Sequence, residues 1–247
     1  MENNVTILAG GDVTVQRGIS GSTTRIESGG SVYAKFIGGA TVRLQNDLMV
    51  GSYLFGASIR SGGSVWVKGE GVLNPKSGAI IGGFVLAVHQ IRAQNIGSAS
   101  VRSTKVVAGV DLTLAKKESD LQKQMEIDQV LMAQILRTLN LESPDMEQIK
   151  GMLLASTGAK RKWVAGSVKK LMELLTRHEK AMEEKESVQK VLEEVARTAV
   201  IGVTSTAFTG TVVGIGDQGM TIEEEAYKVS FSLVEGDERP QLQMTSM

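Results

Sequence analysis

Hydrophobic and polar residues alternate with a period of two in short runs along the first part of the chain. The runs 13–15, 32–34 and 65–67 each place a polar or aromatic residue between two small apolar residues. Such alternation predicts strands that are buried on one face. Shorter runs of the same kind lie between them, at 23–27, 41–44 and 57–60.

A glycine-containing phrase precedes these strands and recurs about every 16–19 residues, with complete copies starting at Ala9, Ser28 and Ser61 and a degraded copy at Gln45. We expect its glycines to turn corners between strands, because glycine tolerates positive φ. One repeat cannot bury its apolar side chains alone, whereas stacked repeats share a core. The pattern predicts a β-solenoid over residues 1–111, with an antiparallel meander as the alternative. The expected corner residues are Gly10, Gly11, Gly29, Gly30, Gly62, Gly63, Gly82 and Gly83.

The spacing of apolar residues changes after residue 111, where steps of three and four residues appear among charged side chains. This spacing predicts an antiparallel helical hairpin with coiled-coil packing over residues 112–199. Ser143 followed by Pro144 is a helix-start signal, with Ser143 as the cap and Pro144 at the first helical position, so we expect a kink or a gap in the first arm. A three-helix bundle with residues 144–157 folded back is the alternative. The expected seam residues are Leu121, Met125, Asp128, Met132, Ile135 and Leu139 on the first arm and Val164, Val168, Leu171, Leu175, His178 and Met182 on the second.

Alternating runs return after residue 199 and predict strands over residues 200–235 that rejoin the solenoid and close its last coil. Residues 236–247 are expected to form a flexible tail. The sequence therefore predicts a mainly β protein with an α insertion.

Charge and composition divide the chain at the same places. Residues 1–110 hold 10 basic and 5 acidic residues, residues 112–199 hold 15 and 14, and residues 200–247 hold 2 and 7, which with Asp111 gives a net charge of zero. The absence of cysteine excludes disulfides and thiolate metal sites. No long apolar segment or leader stands out, so we expect a cytoplasmic protein with no membrane insertion.

The sequence shows no convincing catalytic constellation. The acids of residues 1–110 are scattered and the two histidines, His89 and His178, lie far apart. We therefore expect no enzyme activity, cofactor or metal site. The candidate contact site is the basic cluster Lys160, Arg161, Lys162 with Trp163 at the turn of the hairpin, which suits an anionic partner. The alternative is a solvated turn in which Trp163 packs against Leu153 or Leu154.

The order of these parts resembles the flagellar assembly protein A family. The similarity rests on the Gly-Gly-x-Val coils, on the stretches 71–83 and 104–110, on Gly97-Ser98, and on the closing segment 209–216. The resemblance implies a right-handed β-helix with an inserted helical hairpin, and a bacterial cytoplasmic role in flagellar assembly or its regulation. Members of the family usually carry an N-terminal α/β domain. Because coils begin here at Val5, we expect a fragment or a shortened member.

The sequence is compatible with three functions. The first is a non-enzymatic scaffold with protein partners, and no nucleic-acid partner is expected. The second is a self-assembling solenoid like the bactofilins, which makes a homo-oligomer. The third is a solenoid enzyme, either a polysaccharide lyase, which needs acidic calcium ligands, or an acyltransferase with a histidine base.

Overall fold

A computed structural model describes residues 5–69, 77–101, 103–236 and 240–247. Residues 71–76 of the stretch 71–83, which contributes to the family resemblance, lie outside these ranges. The chain divides into two compact units, one formed by Met1–Asp111 with Leu192–Met247 and the other by Leu112–Val191.

The first unit consists of seventeen short strands in the described residues. In chain order they are β1 (Thr6–Ala9), β2 (Val13–Ser20), β3 (Arg25–Ser28), β4 (Val32–Gly38), β5 (Thr41–Leu44), β6 (Leu48–Phe55), β7 (Ser58–Ser61), β8 (Val65–Val67), β9 (Ala79–Ile81), β10 (Gly83–Ala87), β11 (Gln90–Ile96), β12 (Thr104–Ala108), β13 (Val200–Ala207), β14 (Val212–Ile215), β15 (Gln218–Thr221), β16 (Ala226–Val234) and β17 (Gln241–Ser246).

Strands β1 to β8 go alternately to two sheets, and strands β10 to β14 do the same. The first sheet has the order β1-β3-β5-β7-β10-β12-β14-β15, and the second has the order β17-β16-β13-β11-β8-β6-β4-β2, with β9 pairing with β6 and β11. Neighbours from β1 to β14 are parallel, whereas β15, β16 and β17 pair antiparallel. Each coil thus adds one strand to each sheet, which confirms the predicted β-solenoid. Its handedness stays a prediction.

The core of this unit is a set of columns of small apolar side chains in register across the strands. One column runs through Ile26, Val42, Ile59, Val85, Val106 and Val213, each no more than 1% exposed. Burial of a Val or Ile side chain contributes roughly 1.5–3 kcal/mol. The column joins residues that precede the helices to residues that follow them, so β13 and β14 extend the two sheets of the earlier coils.

The glycines of the recurring phrase serve two purposes, only one of which follows from the sequence. Gly82 and Gly83 have φ of +65° and +77°, as expected for corners. The other six expected corner glycines do not lie in the left-handed region, so that explanation is wrong for them. Four of the six, Gly29, Gly30, Gly62 and Gly63, lie against the preceding coil. A Cβ on Gly29, for example, would lie 2.5 Å from the carbonyl oxygen of Gly10.

Hydrogen bonds between adjacent coils explain the degraded copy of the phrase. The Asp12 carboxylate accepts from the Ser31 backbone N–H at 2.7 Å, and the Asp47 carboxylate accepts from that of Ser64 at the same distance. Each aspartate lies in the coil that comes before a Ser-Gly-Gly-Ser copy in the chain. Gln45-Asn46-Asp47 therefore takes the place of Gly10-Gly11-Asp12, and the two kinds of corner alternate along the stack.

The end of the chain differs from the expected flexible tail. Residues 241–246 form β17, which pairs with β16 from Val229 to Val234. The physical reason is that β16 would otherwise present an unpaired edge, and that Leu242 packs against the core of the unit. Residues 237–239 lie outside the described ranges.

Three helices follow β12, namely α1 (Leu112–Leu139), α2 (Met146–Ala155) and α3 (Gly158–Thr198). Within the second unit α1 and α3 are antiparallel, because residues near the start of α1 contact residues 184–189 of α3, whereas Asp128, further along α1, contacts the earlier residue Arg177. The contacts that show this are Lys117–Glu184, Glu118–Gln189, Gln122–Lys185 and Asp128–Arg177.

The predicted break near Pro144 is confirmed, since α1 ends at Leu139 and α2 begins at Met146. Its predicted cap is wrong. The N-cap is Asp145, whose carboxylate accepts from the Glu147 backbone N–H at 2.8 Å, because Pro144 precedes the cap and does not occupy the first helical position. The helix α2 packs against both longer helices, with Ile149 buried in one cluster with Leu139 and Val164.

The predicted seam of α3 is confirmed from Val164 to Leu175, since Val168 and Leu175 pack against the cluster that contains Val164 and Leu171, and it is wrong at Met182. The residues buried on α3 are Val164, Leu171, Leu174, Ala181 and Val188. Met182, expected in the seam, is 52% exposed. Leu174, Ala181 and Val188 follow a seven-residue step, so Ala181 and not Met182 occupies the buried face at this point of the helix.

Candidate functional site

The basic cluster expected at the turn of the hairpin lies in the first turn of α3. Lys160, Arg161 and Lys162 follow Gly158 and Ala159, and all three are exposed. Trp163 is 52% exposed and Leu154, near the end of α2, is 80% exposed. This tip, which we define as Lys160 to Trp163, therefore presents three cations and a large apolar ring to solvent.

The position of the three cations is unfavourable for the helix that carries them. The N-terminus of a helix carries a partial positive charge, so acids stabilise it and bases destabilise it by roughly 0.3–1 kcal/mol each at exposed sites. The first turn of α3 contains no acid. Local helix stability therefore gives no reason for these residues.

Three bases further along α3 differ from those of the tip in being paired with acids. Lys169 lies 3.9 Å from Glu173, Lys190 lies 2.8 Å from Glu186, and Arg177 pairs with Asp128. In the described part of the chain, Lys160, Arg161 and Lys162 have no ion-pair partner. Their charges therefore remain available to a partner molecule, screened only by salt.

The tip is joined to a buried apolar cluster. Val164 is the residue after Trp163 and is fully buried with Leu171 and Ile149. This cluster holds the first turns of α3 against α2 and the end of α1. The four tip side chains therefore project from a packed helix end, which reduces the conformational entropy that a partner must remove on binding.

A charged pair fixes the register of α1 against α3. Asp128 is fully buried and accepts hydrogen bonds from Arg177, at 2.9 Å from Nε and also from Nη2, and from the Gln124 amide at 2.8 Å. The sequence places Asp128 in the seam but does not reveal its partner, which lies 49 residues away. The only signal is an acid at a seam position.

This pair makes the helical unit sensitive to acid. Hydrogen bonding to Arg177 lowers the pKa of Asp128 below its usual value of 3.8, against the opposing effect of burial, and Gln124 lowers it further. Because the folded chain binds fewer protons, the pair stabilises fully above the usual pKa and is lost as the pH falls through the lower folded value. We expect Asp128→Leu to weaken the acid-induced loss of helical circular dichroism, and an unchanged acid titration would contradict this role.

Two further features concern metal binding and membrane crossing. No group of three or more His, Cys, Asp or Glu side chains within the described residues is arranged to hold a metal ion. None of the three helices, over its described length, has the extent and hydrophobicity needed to cross a membrane.

Comparison with known proteins agrees with this architecture. Neither the curated proteins nor the solved structures give a match. The family model described as the flagellar assembly protein A β-solenoid domain matches residues 3–238, which include every strand before β17 and all three helices. The chain therefore belongs to the flagellar assembly protein A β-solenoid family.

Proposed function

We propose that this protein is a non-enzymatic scaffold that acts in flagellar assembly or its regulation in the bacterial cytoplasm, and that the tip binds an acidic surface of a protein partner. The family membership supports the link to flagella. The contact site is inferred from three exposed cations without an ion-pair partner at the start of α3, where they oppose the helix dipole. Trp163 adds the aromatic anchor that is common at the centre of protein interfaces.

Reversal of the tip charge tests this proposal. The variant Lys160→Glu, Arg161→Glu, Lys162→Glu removes the cations and places acids where the helix dipole favours them. We expect it to lose copurification with flagellar proteins and to reduce swimming when it replaces the native copy in the source organism. Its thermal midpoint should stay the same or rise slightly, so the loss of function cannot be attributed to unfolding.

A matched control reverses the same number of charges elsewhere on the helices. Lys116, Lys123 and Lys180 are exposed and lie on α1 and α3 away from the first turn of α3. Reversal of these three should leave copurification and swimming intact. Equal losses in both variants would show a nonspecific charge effect, and normal swimming and copurification of the tip variant would rule out the tip as the contact.

A further inference from the structure

One outer face of the solenoid collects most of the aromatic side chains of the first unit. Five of the ten aromatic residues of the chain lie on three adjacent strands, β4, β6 and β8, and only Phe231 belongs to the core cluster. Strand alternation turns these rings outward, since Val65 and Val67 are buried on either side of the half-buried Trp66. The five are Tyr33, Phe36, Tyr53, Phe55 and Trp66.

The same face carries bases and no acids. Strands β2, β4, β6, β8, β11 and β13 contain no Asp or Glu, while Arg17, Lys35 and Arg92 lie on them and Lys68 directly follows β8. All four bases are exposed, and no ion pair of theirs is found among the described residues. The first sheet differs, because there Glu27 and Arg43 pair across neighbouring strands at 3.6 Å.

Register aligns four of the five aromatic side chains into two rows across the strands, and Phe55 lies in neither row. Tyr33, Met49, Trp66 and Arg92 are successive cross-strand neighbours. In the second row Phe36 and Tyr53 stack with ring centroids 5.3 Å apart. On β2 and β4, Arg17 and Lys35 come between the residues of the two rows. The five strands from β2 to β11 span roughly 20 Å, at a spacing near 4.8 Å.

Small buried residues continue both rows on the neighbouring strands. Ala79 follows Tyr53 in its row, and Gly202 follows Arg92 in the other. A shallow groove of about 470 Å³ lies next to Trp66 and is lined by Met49, Lys68, Arg92, Gln94 and Thr204 among others. The groove therefore offers one aromatic ring and two cations side by side.

We propose that this face binds single-stranded nucleic acid, with the four bases contacting phosphates and the aromatic rows stacking against bases. A ring-bearing polyanion matches both features at once, because its phosphates suit the cations and its bases suit the rows of rings. The net charge of zero argues against nucleic-acid binding only if the charges are mixed, and here they are segregated by face. This proposal does not depend on the role of the tip.

The test is fluorescence anisotropy of the full chain with a labelled single-stranded oligouridylate and its DNA counterpart at several salt concentrations. We expect binding that weakens with salt. The variant Lys35→Gln, Lys68→Gln should reduce the slope of log K against log salt by about 0.7 for each lost phosphate contact. Trp66→Leu should weaken binding roughly tenfold without changing the slope, because it removes stacking and no charge.

The control variant is Arg25→Gln, Arg60→Gln, which removes two exposed bases from β3 and β7 of the first sheet. It should bind like the parent chain, and circular dichroism should show that all the variants are folded. Absence of binding at low salt, or equal weakening in the control, would overturn the proposal. Tighter binding of a polyglutamate peptide than of either oligonucleotide would overturn it in favour of an acidic protein segment.

Discussion

We expect Gly29→Ala to destabilise the solenoid by about 1–3 kcal/mol, the usual cost of inserting a methyl group into a closely packed site. The added Cβ would lie 2.5 Å from the carbonyl oxygen of Gly10 and 2.9 Å from its carbonyl carbon. Backbone atoms cannot rotate away as a side chain does, so the two coils must separate. The same corner holds the hydrogen bonds from Ser28 to Gly11 and from Ser31 to Asp12, at 2.7 Å each, which separation would weaken.

Gly10→Ala is the matched control, since it is the same substitution at the equivalent corner one coil earlier. A Cβ on Gly10 has no atom of the described residues within 4 Å, and its φ is not positive. We expect a neutral or slightly stabilising effect, because alanine restricts the unfolded chain. Urea unfolding followed by circular dichroism measures both variants. Equal midpoints would show that close stacking is not the reason for glycine at Gly29.

This contrast shows how far the sequence predicts the fold. Alternating apolar residues and the recurring phrase predict coils, corners and a shared core, because those depend on residues close in sequence. The reason for glycine at Gly29 and Gly62 is different, because it arises from contact with the preceding coil, where Gly10 and Gln45 lie. Contact between coils depends on the register of stacking, which no local pattern specifies.

The candidate sites divide in the same way. The tip is contiguous in sequence, so its residues are found by inspection. The outer face of the second sheet is not, because Arg17, Lys35, Lys68 and Arg92 come from four separate strands or strand ends. Register shifts interrupt β2, β4 and β11, so counting along each strand does not predict which side chains become neighbours.

The partner of Asp128 illustrates a further limit. A seven-residue step predicts which face of a helix is buried but not the longitudinal register between two helices. The chain places Asp128 next to Arg177, and Gln122 next to Lys185, by matching polar groups across the seam. A slip of one turn would leave the Asp128 carboxylate buried without a cation, which is costly. The pair therefore selects one register among several that pack similar apolar residues.

The two members of this pair should respond unequally to substitution. Removal of Arg177 leaves a fully buried carboxylate with the Gln124 amide as its remaining hydrogen-bond donor. Removal of Asp128 leaves a guanidinium whose side chain is already 52% exposed and which water can solvate. We therefore expect Arg177→Met to lower the thermal midpoint of the helical signal by several degrees, and Asp128→Leu to leave it unchanged or raise it.

The unequal responses show whether the Asp128–Arg177 pair sets the register between α1 and α3 or instead stabilises the unit through the attraction between its charges. If the attraction between the charges itself stabilised the unit, both substitutions would cost a similar amount, and the double variant would cost no more than either. If the pair selects the register, Arg177→Met is harmful because it leaves the Asp128 carboxylate buried without a cation. Adding Asp128→Leu should then restore most of the lost stability. The double-mutant cycle measures this coupling directly. A double variant as unstable as Arg177→Met alone would contradict the proposed role.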